Sequence, residues 1–232
     1  MTEEERYKAL DFIVSIAKPW DGLHAFLQLP YALDSKFSDP IIQARALAIT
    51  VQHQTDYDKI ERGNSLNDEA LASLSPAAMR IRDLCNTIKH IKRLGKKPHA
   101  WVNGISAEVI VNDDNTFQFL RNKIEYEHEI EGIFDLMNDL YLASKFWANR
   151  RGVDLSHLVN WNQTEVSVTA KAPQDNIYLV SDPNVSIFQT SQNLRINTLV
   201  KGKLVKTSHP NVSIAILDRT KTDDEIIQGL FQ

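Results

Sequence analysis

The chain holds one cysteine, Cys85, so no intrachain disulfide can form and a reducing, cytoplasmic setting is expected. Glycine is also scarce, with eight among 232 residues. Little is left for a loop that wraps phosphate, and no P-loop, dinucleotide fingerprint or nucleophile elbow can be found, which argues against kinase, P-loop and Rossmann chemistry. No stretch approaches the roughly 18 consecutive apolar residues of a membrane span, so a soluble chain with no membrane partner is expected. Neither sign of charge prevails: 26 basic and 30 acidic residues leave a formal charge of −4. Any contact with nucleic acid must therefore be local. The opening "MTEEERYKALDF" is acidic and lacks the basic patch and apolar run of a secretory signal. What the chain does have is 43 % hydrophobic content, enough for one large domain or a medium domain with a smaller companion.

Helix signals dominate the first part. Thr2 followed by Glu5 matches a capping box, and Leu10, Ile13, Val14 and Ala17 recur at helical spacing up to Pro19. "WDGLHAFLQLP" predicts one or two further helical turns closed by Pro30. Asp39 before Pro40 starts a helix that the following residues carry to Gly63, and Ser75 before Pro76 starts another that Gly95 ends. Three or four helices therefore precede residue 95. In "KKPHAWVNGISAEVIVNDDNTFQFL", Val109 and Val111 alternate with Glu108 and Ile110 ahead of a turn cluster at 112–115, which predicts a β-hairpin near residues 100–120. From about 122 to 151, Ile130, Ile133, Phe134, Met137, Leu140, Tyr141 and Trp147 line one apolar stripe that ends in "NRRG", predicting a long helix. After Gly152 the composition shifts to Val, Ile, Thr, Asn and Ser. "TEVSVTA", "NIYLV", "VSIFQT", "LRINTLV" and "NVSIAILD" then read as short strands, with a closing helix in "TKTDDEIIQGLFQ". The expected class is α+β: a helical bundle over 1–152 with an inserted β-hairpin, followed by a smaller β-rich unit over 153–232.

The informative stretch is "RDLCNTIKHIKR", residues 82–93. With residues about 100° apart, Ile81, Leu84, Cys85, Ile88 and Ile91 share a sector roughly 120° wide, which predicts the core face and a buried, unreactive Cys85. Arg82, Asn86, His90 and Arg93 fall on the other side. That polar stripe is either a plain solvated face or a site. Asn and His are mediocre helix formers, and a face with no task is better served by Glu, Lys or Gln. A histidine beside an arginine and an amide supplies a general acid or base and a phosphate holder, the minimum for cleaving RNA through its own 2′-hydroxyl without metal or cofactor.

The helix "RDLCNTIKH" resembles the signature helix of the HEPN superfamily, all-helical prokaryotic domains common in toxin, abortive-infection and CRISPR-associated ribonucleases. In that family an arginine, a neighbouring polar residue and a histidine face a second copy across a dimer interface. Arg82 and Asp83 match the first two elements and His90 the last, and the resemblance implies a homodimer with candidate catalytic residues Arg82, Asp83, Asn86 and His90. Seven residues separate Arg82 from His90, against four to six in the family. The string "NTIKH" also resembles the corresponding helix of bacterial and phage proteins for which no reaction is implied. The likeness covers residues 40–150. The longer spacing tilts the reading to a non-catalytic interaction protein, RNA-associated and linked to phage defence or toxin systems. A metal-independent endoribonuclease using Arg82 and His90 at a homodimer interface is the alternative.

Lys89, Lys92, Arg93, Lys96 and Lys97 crowd the end of the same helix, followed by Trp101. Cations are favoured at a helix C-terminus in any protein. With an aromatic platform beside them they also form a candidate nucleic-acid-binding patch. Glu125 and His128 have the spacing of a helical di-iron ligand pair, but the second pair is missing, and the other histidines have no zinc-like partners. No metal or cofactor is expected. The β-rich unit is a candidate for binding a protein partner through an exposed strand edge.

Overall fold

The computed structural model describes residues 2–30, 32–33, 38–89, 97–111, 116–164, 166–173, 177–180, 196–200, 203–206 and 214–217. The fold is α+β with a helical N-terminal part. Among the described residues no helix is long and apolar enough to cross a membrane. The chain gathers into two compact units, each made of three separate stretches: Met1–Phe26, Pro40–Asn103 and Ile124–Ser167 in the first, and Leu27–Asp39, Gly104–Lys123 and Val168–Gln232 in the second. The composition shift suggested one break near residue 152 instead.

In the first unit, α1 (Glu3–Phe12) starts at the expected capping box, with Thr2 and Glu5 exchanging both bonds. Pro19 does not end this helix. The turn over Ile13–Ala17 widens to π geometry, with the Lys18 N–H bonded to the Ile13 carbonyl, and the rod runs on as α2 (Lys18–Leu27). Proline has no N–H to give and its ring crowds the carbonyl four residues back; an extra residue in the preceding turn makes room. The expected helix from Asp39 to Gly63 is α3 (Ser38–Arg62), stopped by Gly63 at φ +79°. A short α4 (Asp68–Leu74) is capped by Asn67 through the Ala70 N–H. Ser75 then caps α5 (Pro76–Lys89), accepting from the Ala78 N–H at 3.2 Å.

The largest departure lies at residues 122–135, expected as the first half of a long helix. Strands β2 (Ala100–Val111) and β3 (Phe117–His128) are hydrogen-bonded neighbours of 12 residues each, longer than the predicted hairpin. The turn cluster at 112–115 lies outside the described residues. The distal end of β3 pairs antiparallel with β4 (Gly132–Asp135), Tyr126 opposite Phe134 and His128 opposite Gly132. Burial alternates strictly from Arg121 to His128, the period of a strand and not of a helix. Ile130 and Ile133, expected in the helical stripe, are 75 % and 59 % exposed. The helix itself is α6 (Leu136–Arg151), begun by Asp135 accepting from the Met137 and Asn138 N–H groups. Its buried Met137, Leu140, Tyr141 and Trp147 belong to the predicted stripe.

In the second unit, the strands of the last third complete sheets begun earlier in the chain. β5 (Ile177–Val180) lies parallel between β1 (Ala32–Leu33) and β8 (Ile214–Leu217). β6 (Ile196–Val200) pairs parallel with β2, Ala107 opposite Ile196, and antiparallel with β7 (Lys203–Lys206). The Asn122 side chain joins β3 to the β1 region, accepting from the Leu33 N–H at 3.0 Å and donating to the Leu27 carbonyl at 3.3 Å. Three of the five expected strand segments thus hold β5, β6 and β8. "TEVSVTA" is not a strand, since its described residues form no regular element. Just beyond it, the Lys171 N–H bonds to the Phe119 carbonyl at 2.9 Å. "VSIFQT" and the closing helix lie outside the described residues.

Gly152 ends α6 in the left-handed region at φ +71°, with open space where a Cβ would stand. The cost of Gly152→Ala is then backbone strain alone. The expected loss is about 1 kcal/mol in urea unfolding, with the m-value unchanged.

Candidate functional site

The polar residues of α5 define the candidate site. This helix packs against both α4 and α6. Ile81, Leu84 and Cys85 are buried as expected, while Ile88 is exposed; Ile91 lies outside the described residues. Burial pushes the Cys85 thiol up to about 12, only weakly opposed by the charge of Lys89. The thiol therefore stays protonated and unreactive at neutral pH.

On the opposite face of α5, Arg82 and Asp83 are turned away from water. Arg82 is only 8 % exposed and Asp83 1 %. The Arg82 Nη1 donates to Asp68 Oδ1 at 2.8 Å, and its Nη2 reaches the Leu66 carbonyl at 3.4 Å. Lys97, expected to steer an RNA backbone, donates to the other oxygen of the same carboxylate at 2.8 Å. The hydrogen bond from Lys97 and then that from Arg82 hold the Asp68 carboxyl below its usual range, against its partial burial. Asp83 lies 3.4 Å from the ring Nε2 of buried His128, whose Nδ1 accepts from the Glu131 N–H at 3.3 Å. Asn86 is half-buried, Lys89 is exposed and Trp101 is partly exposed on β2. His90, Lys92, Arg93 and Lys96 lie outside the described residues. The structure thus brings Arg82 and Lys97 together on one acid, and places Asp83 against a histidine from another element.

Sequence reasoning missed the largest polar assembly in this region. Arg80 holds Asp139 of α6 with two bonds, Nε to Oδ2 at 2.7 Å and Nη2 to Oδ1 at 2.9 Å, and donates from Nη1 to Glu131 Oε2 at 2.9 Å. Its guanidinium carbon lies 4.0 Å from the centre of the Phe134 ring. The buried Tyr126 hydroxyl donates to the same Asp139 carboxylate. Burial works against the Arg80 charge, but the Asp139 carboxylate outweighs it and raises the guanidinium pKa above its ordinary value. Burial, and then the charge of Asp139, push the Tyr126 phenol well above its ordinary range. Neither group titrates near neutral pH. The one sequence signal was a charged residue in α6 amid an apolar stripe, Asp139 beside Leu140 and Tyr141.

Glu125 and His128 sit on a strand, so their spacing of three places them on opposite faces of β3, and they do not form a ligand pair. Among the described residues no group of three or more His, Cys, Asp or Glu side chains is placed to hold a metal ion. Two cavities of the first unit lie away from α5: an open apolar groove of about 430 Å³ between the Pro19 and Ala46 regions, and a polar one of about 250 Å³ beside Lys145 and Asp154. Compared with known protein families, curated proteins and solved structures, the chain matches none.

Three outcomes are expected from this geometry. Asp139→Ala leaves Arg80 buried without its main partner and should lower stability by about 3–5 kcal/mol in urea unfolding. The Arg80→Met, Asp139→Leu double variant should lose far less than the sum of the single variants, which a double-mutant cycle would read. Cys85 should resist a thiol-alkylating reagent at pH 8 in native protein and react at once in denaturant, followed by mass spectrometry. Rapid native labelling would contradict its burial.

Proposed function

We propose that the chain is a HEPN-like interaction protein that associates with RNA or with a protein partner and does not cleave RNA. The observation that carries this reading is the Asp68 carboxylate, which engages both Arg82 and Lys97. In-line cleavage of RNA through the 2′-hydroxyl calls for a guanidinium free to take up phosphate as charge develops. An arginine buried against an acid must break a charge-assisted pair first. Asp83, buried against His128, is equally withdrawn from any bound RNA. Exposed Lys89 and partly exposed Trp101 support an RNA contact without chemistry, a cation for the backbone and a ring for an unpaired base. A link to defence or toxin systems belongs to the same reading, through the likeness of "RDLCNTIKH" to that family.

The test is incubation of purified protein with mixed cellular RNA in EDTA, beside His90→Ala. Intact RNA with both proteins is the expected outcome. Cleavage by the parent protein that His90→Ala abolishes would overturn the reading in favour of a metal-independent endoribonuclease. For RNA binding, replacing Lys89, Lys92, Arg93 and Lys96 by Gln should weaken affinity and flatten its dependence on salt. No binding by the parent protein at low salt would leave only the protein partner.

A further inference from the structure

The outward face of the first helical rod reads Glu3, Tyr7, Leu10, Val14 and Lys18, spaced four, three, four and four residues apart. All five residues are exposed, Tyr7 at 71 %, Leu10 at 58 % and Val14 at 54 %. The core face of the same rod is elsewhere, at Phe12, Ile16 and Ala17. Single exposed apolar residues are ordinary on a protein surface. Three of them in line, at the spacing of a helix–helix seam, make a continuous stripe that water solvates poorly. The stripe continues across the π turn because Val14 and Lys18 still lie about one turn apart there.

The two ends of the stripe carry opposite charge. Glu3 lies at the start of α1, beside Glu4 and Glu5, and Lys18 opens α2. Among the described residues neither Glu3 nor Lys18 is ion-paired, whereas nearby Lys8 is held by Glu4 at 2.9 Å and Glu61 at 3.3 Å. A copy of this helix laid antiparallel across it, with the two-fold axis between Leu10 and Asp11, sets Tyr7 against Val14 and Glu3 against Lys18. Each of those pairs then occurs twice. A parallel copy would set Glu3 against Glu3 and Lys18 against Lys18, opposing like charges at both ends.

We propose that this face is where a second copy of the chain docks, antiparallel and about a two-fold axis. The pattern is self-complementary in both hydrophobicity and charge, as an isologous interface requires. The inference is independent of the RNA reading, and it locates the association on α1 and not on the polar residues of α5. One helix stripe falls short of the roughly 800 Å² per partner that stable complexes bury, so the dimer should form in the micromolar range and dissociate on dilution.

The experiment is sedimentation velocity on the full chain from low to high micromolar concentration. The parent protein should shift from monomer to dimer, and Leu10→Asp should stay monomeric throughout. Glu3→Lys should weaken the dimer roughly tenfold by facing two lysines at each end, and Glu3→Lys combined with Lys18→Glu should restore it. A parent protein that is monomeric at every concentration would overturn the proposal. So would a dimer that Leu10→Asp leaves intact, or a charge exchange that fails to rescue. Urea unfolding of Leu10→Asp at a concentration where the parent is monomeric should give an unchanged midpoint. A lowered midpoint would show the stripe covered from within the chain and would equally refute the docking of a second copy.

Discussion

The Arg80–Asp139 pair is the constraint around which the first unit is built. It ties α5 to α6 with two bonds, and through Tyr126, Phe134 and Glu131 it binds the distal end of β3 and the β4 turn to the same point. Apolar faces alone would let these elements slide, because leucine packs nearly as well against a neighbour one turn away. A bidentate buried ion pair does not slide. Desolvation takes back most of the Coulombic gain, so such a pair adds little to net stability, but any other register would leave a charge buried without a partner.

The same requirement decides what α5 can offer to the outside. Its neighbours place Asp68 against Arg82 and His128 against Asp83, so two polar side chains that a helical wheel turns toward water face protein instead. Buried polar groups are tolerable only when bonded, and these are. Arg82 and Asp83 of "RDLCNTIKH" are thereby turned inward, while the first helix, with no comparable demand on its outer face, keeps three apolar side chains in water.

Local signals in the chain were legible wherever they acted over one helical turn. The capping box at Thr2 and Glu5, the start at Pro76 and the stops at Gly63 and Gly152 are realised, because a cap is satisfied by groups three or four residues away, whereas α3 begins at Ser38, two residues ahead of the expected Pro40. The buried side of α5, including Cys85, followed from helical period for the same reason. Misreadings came where two periods fit the same residues. Ile130 and Ile133 matched a helical stripe by spacing, yet Asn122, Ile124, Tyr126 and His128 also mark every second position, and the second pattern is the one the sheet uses. Pro19 was read as a stop because a π turn has no signature in the residues around it.

What the sequence determined by itself is the α+β class, the locally capped helix ends and the segments holding β5, β6 and β8, since each depends on neighbours close along the chain. Tertiary structure alone decided the pairing of those strands with β1 and β2, the division into two interleaved units and the fate of Arg80, Arg82 and Asp83. Their partners stand 59, 14 and 45 residues away. A charged side chain carries no local mark of whether it will meet water or an opposite charge, because that depends on which distant elements close over it.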